Sequence, residues 1–333
     1  MALPSQFHNL SLPVIAAPLF IVSGPELVIA SCRAGVIGTF PSLNARTPEE
    51  LRARLHQIEA ALAETENGTP RPASFGVNLI CHRTNQRLSV DTDIAVAHRV
   101  PVVITSGGDP RPIVDRVHAY GGVVLADVTD LKWARKAAAA DVDGLILVCA
   151  GAGGHAGIMN PFALLPQVRE FFDRTIVLAG AISDGRAVRA AQVLGADLIY
   201  MGTRFIATAE ANATERYKKM LLESEATDLV YTDVFSGIPA NMLKASIRQY
   251  GVDPDNLPEK NALDVSKELN VDAKAWRDVW SAGQGVGSIH DVPTVAQLVM
   301  RLRAEYDSAA ETPGSQRRRH SGVDERKQPN SAK

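Results

Sequence analysis

The chain has 333 residues, 46% hydrophobic and only 5% aromatic, enough apolar material for one large core or two modest ones. Thirty-five basic residues against 37 acidic ones give a net charge of −2, so no strong field draws in nucleic acid or an anionic membrane, and small molecules are the expected partners. The cysteines, Cys32, Cys81 and Cys149, form no CxxC pair, which argues against a disulfide framework or a zinc site and points to a reducing cytoplasm.

The N-terminal run "LPVIAAPLFIV" resembles the apolar core of a signal peptide, but no basic residue precedes it and two prolines interrupt it, so it is read as a buried strand. No apolar stretch approaches the roughly 20 residues of a membrane helix. Strand-like runs follow at 12–17, 36–40, 75–80, 101–105, 122–127, 144–149, 175–180 and 197–202. Most are continuously apolar, as parallel strands covered on both faces are. Helical patterns occupy 48–64, 109–120, 130–140, 161–172 and 184–195. Eight strands alternating with helices predict an α/β fold, a TIM (β/α)8 barrel, over 10–207 and 281–306. The competing open doubly wound sheet more often has roughly five to seven strands.

After Phe205 the rhythm changes, and 208–280 is read as a mostly helical inserted domain capping one end of the barrel. The loop 281–289 and a helix over 292–306 return to the barrel. From Asp307 to Lys333 nothing aromatic and almost nothing apolar remains, so a disordered basic tail is expected, its "RRRH" solvated rather than bound to nucleic acid.

The stretch "VCAGAGGHAG" at 148–157 ends the sixth strand. Gly151, Gly153 and Ala156 fit the dinucleotide pattern G-x-G-x-x-A, but that fingerprint follows the first strand of its unit and opens directly into a helix. Here the next helix starts at Asn160–Pro161, a favoured N-cap and first-turn proline. The loop is better read as one that lets a flat ligand approach its backbone at Gly153 and Gly154, with His155 as its one titratable side chain. A lone histidine is usually structural or merely exposed. The glycine and alanine neighbours on both sides of it, at the C-terminal end of a barrel strand, shift the balance toward a functional His155.

Barrels commonly bind phosphate with the loops after the seventh and eighth strands, here 179–187 and 201–208. Gly180, Ala181, Gly202 and Thr203 are the candidate donors; Asp184 and Arg186 are read as a cap and a decoration of the following helix. Asn78 and Thr105, at the ends of the third and fourth strands, could hydrogen-bond the edge of a heterocycle, although Thr105 reads equally well as a loop cap. "WSAGQGVG" at 280–287 is a third glycine-rich loop and a candidate lid.

The segments "PVIAAPLF", "FGVNL", "GGHAG", "LAGAISDGRAV", "LGADLIYMGTRFIAT", "SGIPANMLKASI" and "WSAGQGVGSI", in this order over roughly 10–300, resemble the nitronate monooxygenase (2-nitropropane dioxygenase-like) family. The resemblance implies a TIM barrel with a helical second domain and tightly bound FMN. It would place Ala17, Pro18, Leu19, Phe20, Asn78, Gly180, Ala181, Gly202, Thr203 and Gln284 around the flavin, with His155 facing the substrate. It also implies the reaction, oxidation of an alkyl nitronate by FMN and O2 to a carbonyl compound and nitrite, and leaves room for a homodimer. His155 would partner the anion, or remove the α-proton if a neutral nitroalkane is accepted. One departure stands out: Asp127 ends the fifth strand, where some relatives would have a basic residue near the flavin. Two rivals share the scaffold, the flavin-dependent enoyl-acyl-carrier-protein reductases and the NADH:quinone reductases, both NAD(P)H-dependent. A third alternative, a flavin-binding protein without turnover, is motivated by Asp127 and the tail.

Overall fold

Eight short parallel strands close on themselves in the computed structural model, which describes residues 3–64, 70–257 and 277–310. They are β1 (Val14–Ala16), β2 (Ile37–Pro41), β3 (Phe75–Ile80), β4 (Val102–Ser106), β5 (Val123–Val128), β6 (Gly144–Val148), β8 (Thr175–Ala179) and β9 (Leu198–Met201). The order is β1-β2-β3-β4-β5-β6-β8-β9, and β9 pairs back to β1 with Ile199 beside Val14. All eight lie on the predicted runs. A further two-residue strand, β7 (Gly154–His155), stands outside the barrel.

The helices around the barrel are α1 (Pro25–Arg33), α2 (Pro48–Ala63), α3 (Leu88–Ala97), α4 (Arg111–His118), α5 (Leu131–Ala138), α6 (Pro161–Arg169) and α7 (Gly185–Leu194). Their starts follow local chemistry: the side chains of Thr47, Asp130, Asn160 and Asp184 each accept a first-turn backbone N–H. Helices α1 and α3 were not predicted. In α3 the buried face includes Asp91 and Thr92, with Asp91 Oδ1 held by Arg87 at 2.7 Å, so the apolar period is masked.

Side-chain alternation decides which residues enter the barrel. Ile15, Ile37, Val102, Ile104, Val123, Leu125, Ile146, Val148, Val177 and Leu198 pack as one cluster, whereas Val14, Val103, Val124, Leu145, Leu147, Ile176 and Ile199 belong to the cluster shared with the helices. Continued to the strands' C-terminal ends, the inward positions become Ser106, Asp127 and Tyr200, with Asn78 beside Ile104 in the register. The core is therefore hydrophobic below and polar at the top.

Beyond β9 come α8 (Thr203–Ile206), α9 (Glu215–Leu222), β10 (Leu229–Thr232), β11 (Ala240–Leu243), α10 (Lys244–Gln249) and α11 (Val295–Ala310). The segment 208–280 carries helices α9 and α10 and also a small sheet that the sequence did not suggest: β10 and β11 form an antiparallel pair, and β11 pairs with β7, with Ala240 opposite His155. Four-residue strands are too short to establish an alternating pattern in sequence. Residues 258–276 of that segment lie outside the described residues. Helix α11 runs to Ala310, so Asp307–Ala310, which the sequence reading gave to the tail, are helical; the expected tail over 311–333 lies outside the described residues.

Candidate active site

A cavity of about 1060 Å3 opens at the C-terminal ends of the barrel strands. Ligand pockets commonly measure roughly 300–1,000 Å3, so there is room for a ring cofactor and a second small molecule. Ala17, Pro18, Leu19, Phe20, Asn78, Thr105, Asp127, Gly153, Gly154, His155, Gly180, Ala181, Gly202 and Thr203 all line it. Gln284 does not. Its backbone N–H donates to Gly151 O at 2.8 Å, so it braces the wall from behind while its neighbours Gly283 and Gly285 face the cavity.

The floor is the polar top of the barrel core. Asn78 Nδ2 donates to Ile104 O at 3.2 Å and to Ser106 Oγ at 2.7 Å, and the Ser106 hydroxyl donates to Asp127 Oδ2 at 2.5 Å. An amide has two N–H donors and a hydroxyl one, so the chain runs in one direction, toward the carboxylate. Two atoms are left buried without a hydrogen-bond partner, Asp127 Oδ1 and the Tyr200 hydroxyl. Burial pushes the Asp127 carboxyl up to about 7, partly offset by the Ser106 hydrogen bond. Burial, and then the charge of Asp127, hold the Tyr200 phenol well above its ordinary value.

Ser106 and Tyr200 were not among the predicted site residues. Their signal was the two-residue period: Val102, Ile104 and Ser106 share a face, as do Leu198 and Tyr200. Thr105, one position out of phase, reaches the cavity wall but spends its hydroxyl on Leu125 O at 3.2 Å. That bond ties β4 to β5.

Opposite the floor, the small-residue loops interlock. After β8 the backbone turns through Gly180 (φ 134°) and Ala181 (φ 55°), and a Cβ on Gly180 would come within 2.8 Å of Ala150 O. A Cβ on Gly153 would lie 2.7 Å from Gly283 N, so 150–154 and 281–285 pack main chain to main chain. Gly283 N donates to Thr203 Oγ1 at 2.8 Å, which makes that hydroxyl an acceptor there and leaves its hydrogen to donate. Asn241 ties the assembly to β11 by donating from Nδ2 to Ala152 O at 2.7 Å.

His155 is carried on β7. Its Nε2 lies 2.9 Å from Ser236 Oγ, and Ser236 Oγ donates to Ile238 O at 3.0 Å. The hydrogen bond between the ring and the serine holds the imidazole in one orientation at the cavity wall. The ring keeps an exposed face at the cavity, and the surrounding protein pushes its pKa down toward about 4. Cavity water solvates that face and shrinks the shift, but the direction, toward neutral imidazole, stands. At the rim, Arg111, Trp133 and Lys136 extend the lining onto α4 and α5.

No metal was expected from the sequence. Among the described residues, one group could hold a cation, His56, Glu59 and His98 on α2 and at the end of α3, with His98 Nδ1 at 3.0 Å from Glu59 Oε1; none of the three lines the cavity.

The sequence profile of the nitronate monooxygenase family matches residues 2–305. The chain belongs to the nitronate monooxygenase family. It is accordingly a flavin-dependent oxidoreductase built on a TIM barrel. A nitronate monooxygenase of Paraburkholderia phytofirmans is 28% identical over 354 residues, spanning 90% of this chain and 93% of the relative. In fold, the chain is similar to a nitroalkane oxidase from Streptomyces ansochromogenes (TM-score 0.74, 24% identity, 91% of this chain and 97% of that one). It is equally similar to FabK from Thermotoga maritima (TM-score 0.74, 24% identity, 92% and 96%). None of the helices among the described residues is long and apolar enough to cross a membrane.

Proposed function

We propose that the cavity binds FMN and that the protein oxidises alkyl nitronates with O2, giving a carbonyl compound and nitrite. The observation that carries this reading is His155, an imidazole biased toward its neutral form and held by Ser236 at the wall of a cavity large enough for cofactor and substrate together.

The residues fit the cofactor. Asp127 Oδ1 and the Tyr200 hydroxyl are unsatisfied polar atoms suited to the polar edge of a flavin ring, with Asn78 and Ser106 behind them. Ala17, Pro18 and Leu19 offer an apolar wall, and Gly180, Ala181, Gly202 and Thr203 a phosphate cradle whose close backbone approach a Cβ at Gly180 would block. Bound FMN supplies the two-electron chemistry and the reaction with O2.

The chain's own contribution is proton and charge management. A neutral His155 accepts the α-proton of a nitroalkane, and the resulting imidazolium lies beside the nitronate it has made. A nitronate entering as the anion draws the imidazole toward its protonated form, because an opposite charge nearby raises its pKa. Tyr217 and Ile238, from 208–280, line the same cavity, which supports a role for that segment as its cap. The free cysteines favour a reducing, cytoplasmic setting.

A second reading rests on the rim, where Arg111, Trp133 and Lys136 suit an anionic dinucleotide such as NAD(P)H. The two separate in one assay. Oxygen uptake by the purified yellow protein with a small alkyl nitronate, no NAD(P)H, and nitrite at the end is the expected outcome. Absence of uptake, with rapid anaerobic bleaching of the flavin by NAD(P)H, would favour the reductase.

A further inference from the structure

The cavity floor carries a function the reaction above does not use. We propose that Asp127 is the proton-holding group of the redox step: as the bound flavin ring gains two electrons and one proton, the Asp127 carboxylate takes up a second proton from solvent. The electrons come from the substrate, or from a chemical reductant in the measurement below. Two electrons and two protons enter together, so the site gains no net charge. This inference rests on the flavin reading of the cavity.

The argument begins with hydrogen-bond direction. Asn78 donates to Ser106 and Ser106 donates to Asp127 Oδ2, so that oxygen is committed as an acceptor. Oδ1 is the oxygen left to protonate, and it is buried, without a partner and on the cavity floor. An isolated buried carboxylate is costly, and a reduced ring carrying a negative charge beside it would add like-charge repulsion. Uptake of a proton by the carboxyl removes both penalties. It also turns Oδ1 from an acceptor into a donor toward the ring.

The other charged and titratable groups do not relieve Asp127. Tyr200, across the barrel on β9, is an acid weaker than usual and adds no positive charge. Of the remaining cavity-lining groups, His82, Asp109, Arg111, Lys136 and His155 exert no resolved charge effect on Asp127, whose shift comes from burial and is opposed only by Ser106. The nearly neutral affinity that results suits a group that exchanges protons at physiological pH.

The test is the pH dependence of the midpoint potential of the bound flavin between pH 7.5 and 9, in holoenzyme whose flavin content has been measured first. For a two-electron couple each proton taken up contributes about 29.6 mV per tenfold change in proton concentration. The wild type should therefore fall by about 59 mV per pH unit, twice 29.6 mV, and D127N by about 30 mV. A wild-type slope near 30 mV, or one of 59 mV retained in D127N, overturns the proposal. Where D127N does not retain flavin, the absorbance of the oxidised bound flavin decides: a titration near pH 7 in the wild type should move upward in S106A, which loses the donor that keeps the carboxyl acidic. A wild type with no such titration, or one that S106A leaves in place, overturns it. Protein that binds no flavin at all contradicts the cofactor reading instead.

Discussion

His155 owes its orientation to Ser236, 81 residues away in sequence, whose hydroxyl lies 2.9 Å from its Nε2. A positioned acid or base is typically worth roughly 10²- to 10⁴-fold in rate, so His155→Asn should keep its flavin and lose at least about tenfold in turnover. Steady-state oxygen uptake measures this, and unchanged kinetics would remove His155 from the mechanism. Gly180 is constrained differently. Its φ of 134° is unfavourable for any side chain, and a Cβ would meet Ala150 O at 2.8 Å. Gly180→Val should therefore displace the loop after β8 and yield protein that folds without cofactor. A fully flavinated G180V would place the phosphate elsewhere.

Between elements, the critical joint is the one that docks β7 and the loop before it onto β11. Asn241 is buried, and its amide supplies the Ala152 carbonyl with a hydrogen bond at 2.7 Å. Truncation to Ala leaves that carbonyl unpaired, at a cost of about 1–3 kcal/mol. Chemical denaturation of N241A should show the loss, accompanied by a raised KM as the wall carrying His155 loosens. The same joint marks how far the sequence could be read. The eight barrel strands were legible because most are apolar runs covered on both faces, by helices outside and by the barrel core inside; β2, β6 and β8 are buried at every position. The glycine loops were legible because small residues at strand ends have few structural uses. The β10–β11 pair was not, since four residues carry too little alternation, nor was α3, which buries Asp91. Thr105 and Ser106 are adjacent polar residues at the end of β4, and composition alone does not tell them apart. Only the register, which sets the face each residue occupies, separates the two.

At the scale of the whole molecule, the barrel collects charge-sensitive groups on one inner surface, and this couples stability to pH. Asp127 has a folded pKa of about 7, above the roughly 3.9 of an unfolded aspartate. Its contribution is fully present below about pH 3.9 and is lost as pH rises through about 7, because there the folded state alone holds the proton. His155 has the opposite sign. Its folded pKa of about 4 lies below the unfolded value near 6.5, so its contribution is present above about 6.5 and is lost as pH falls toward 4. Between roughly pH 4 and 6.5 the two slopes oppose each other, with the His155 term reduced by water on its cavity face. After removal of the cofactor, denaturant titrations of the wild type and D127N from pH 5 to 8 should diverge. The wild type should lose stability relative to D127N up to about pH 7 and then run parallel to it, since above its folded pKa Asp127 is ionised in both states. A constant offset across the whole range would mean that the carboxyl is already ionised at pH 5, and the polar floor would then be an ordinary solvated surface.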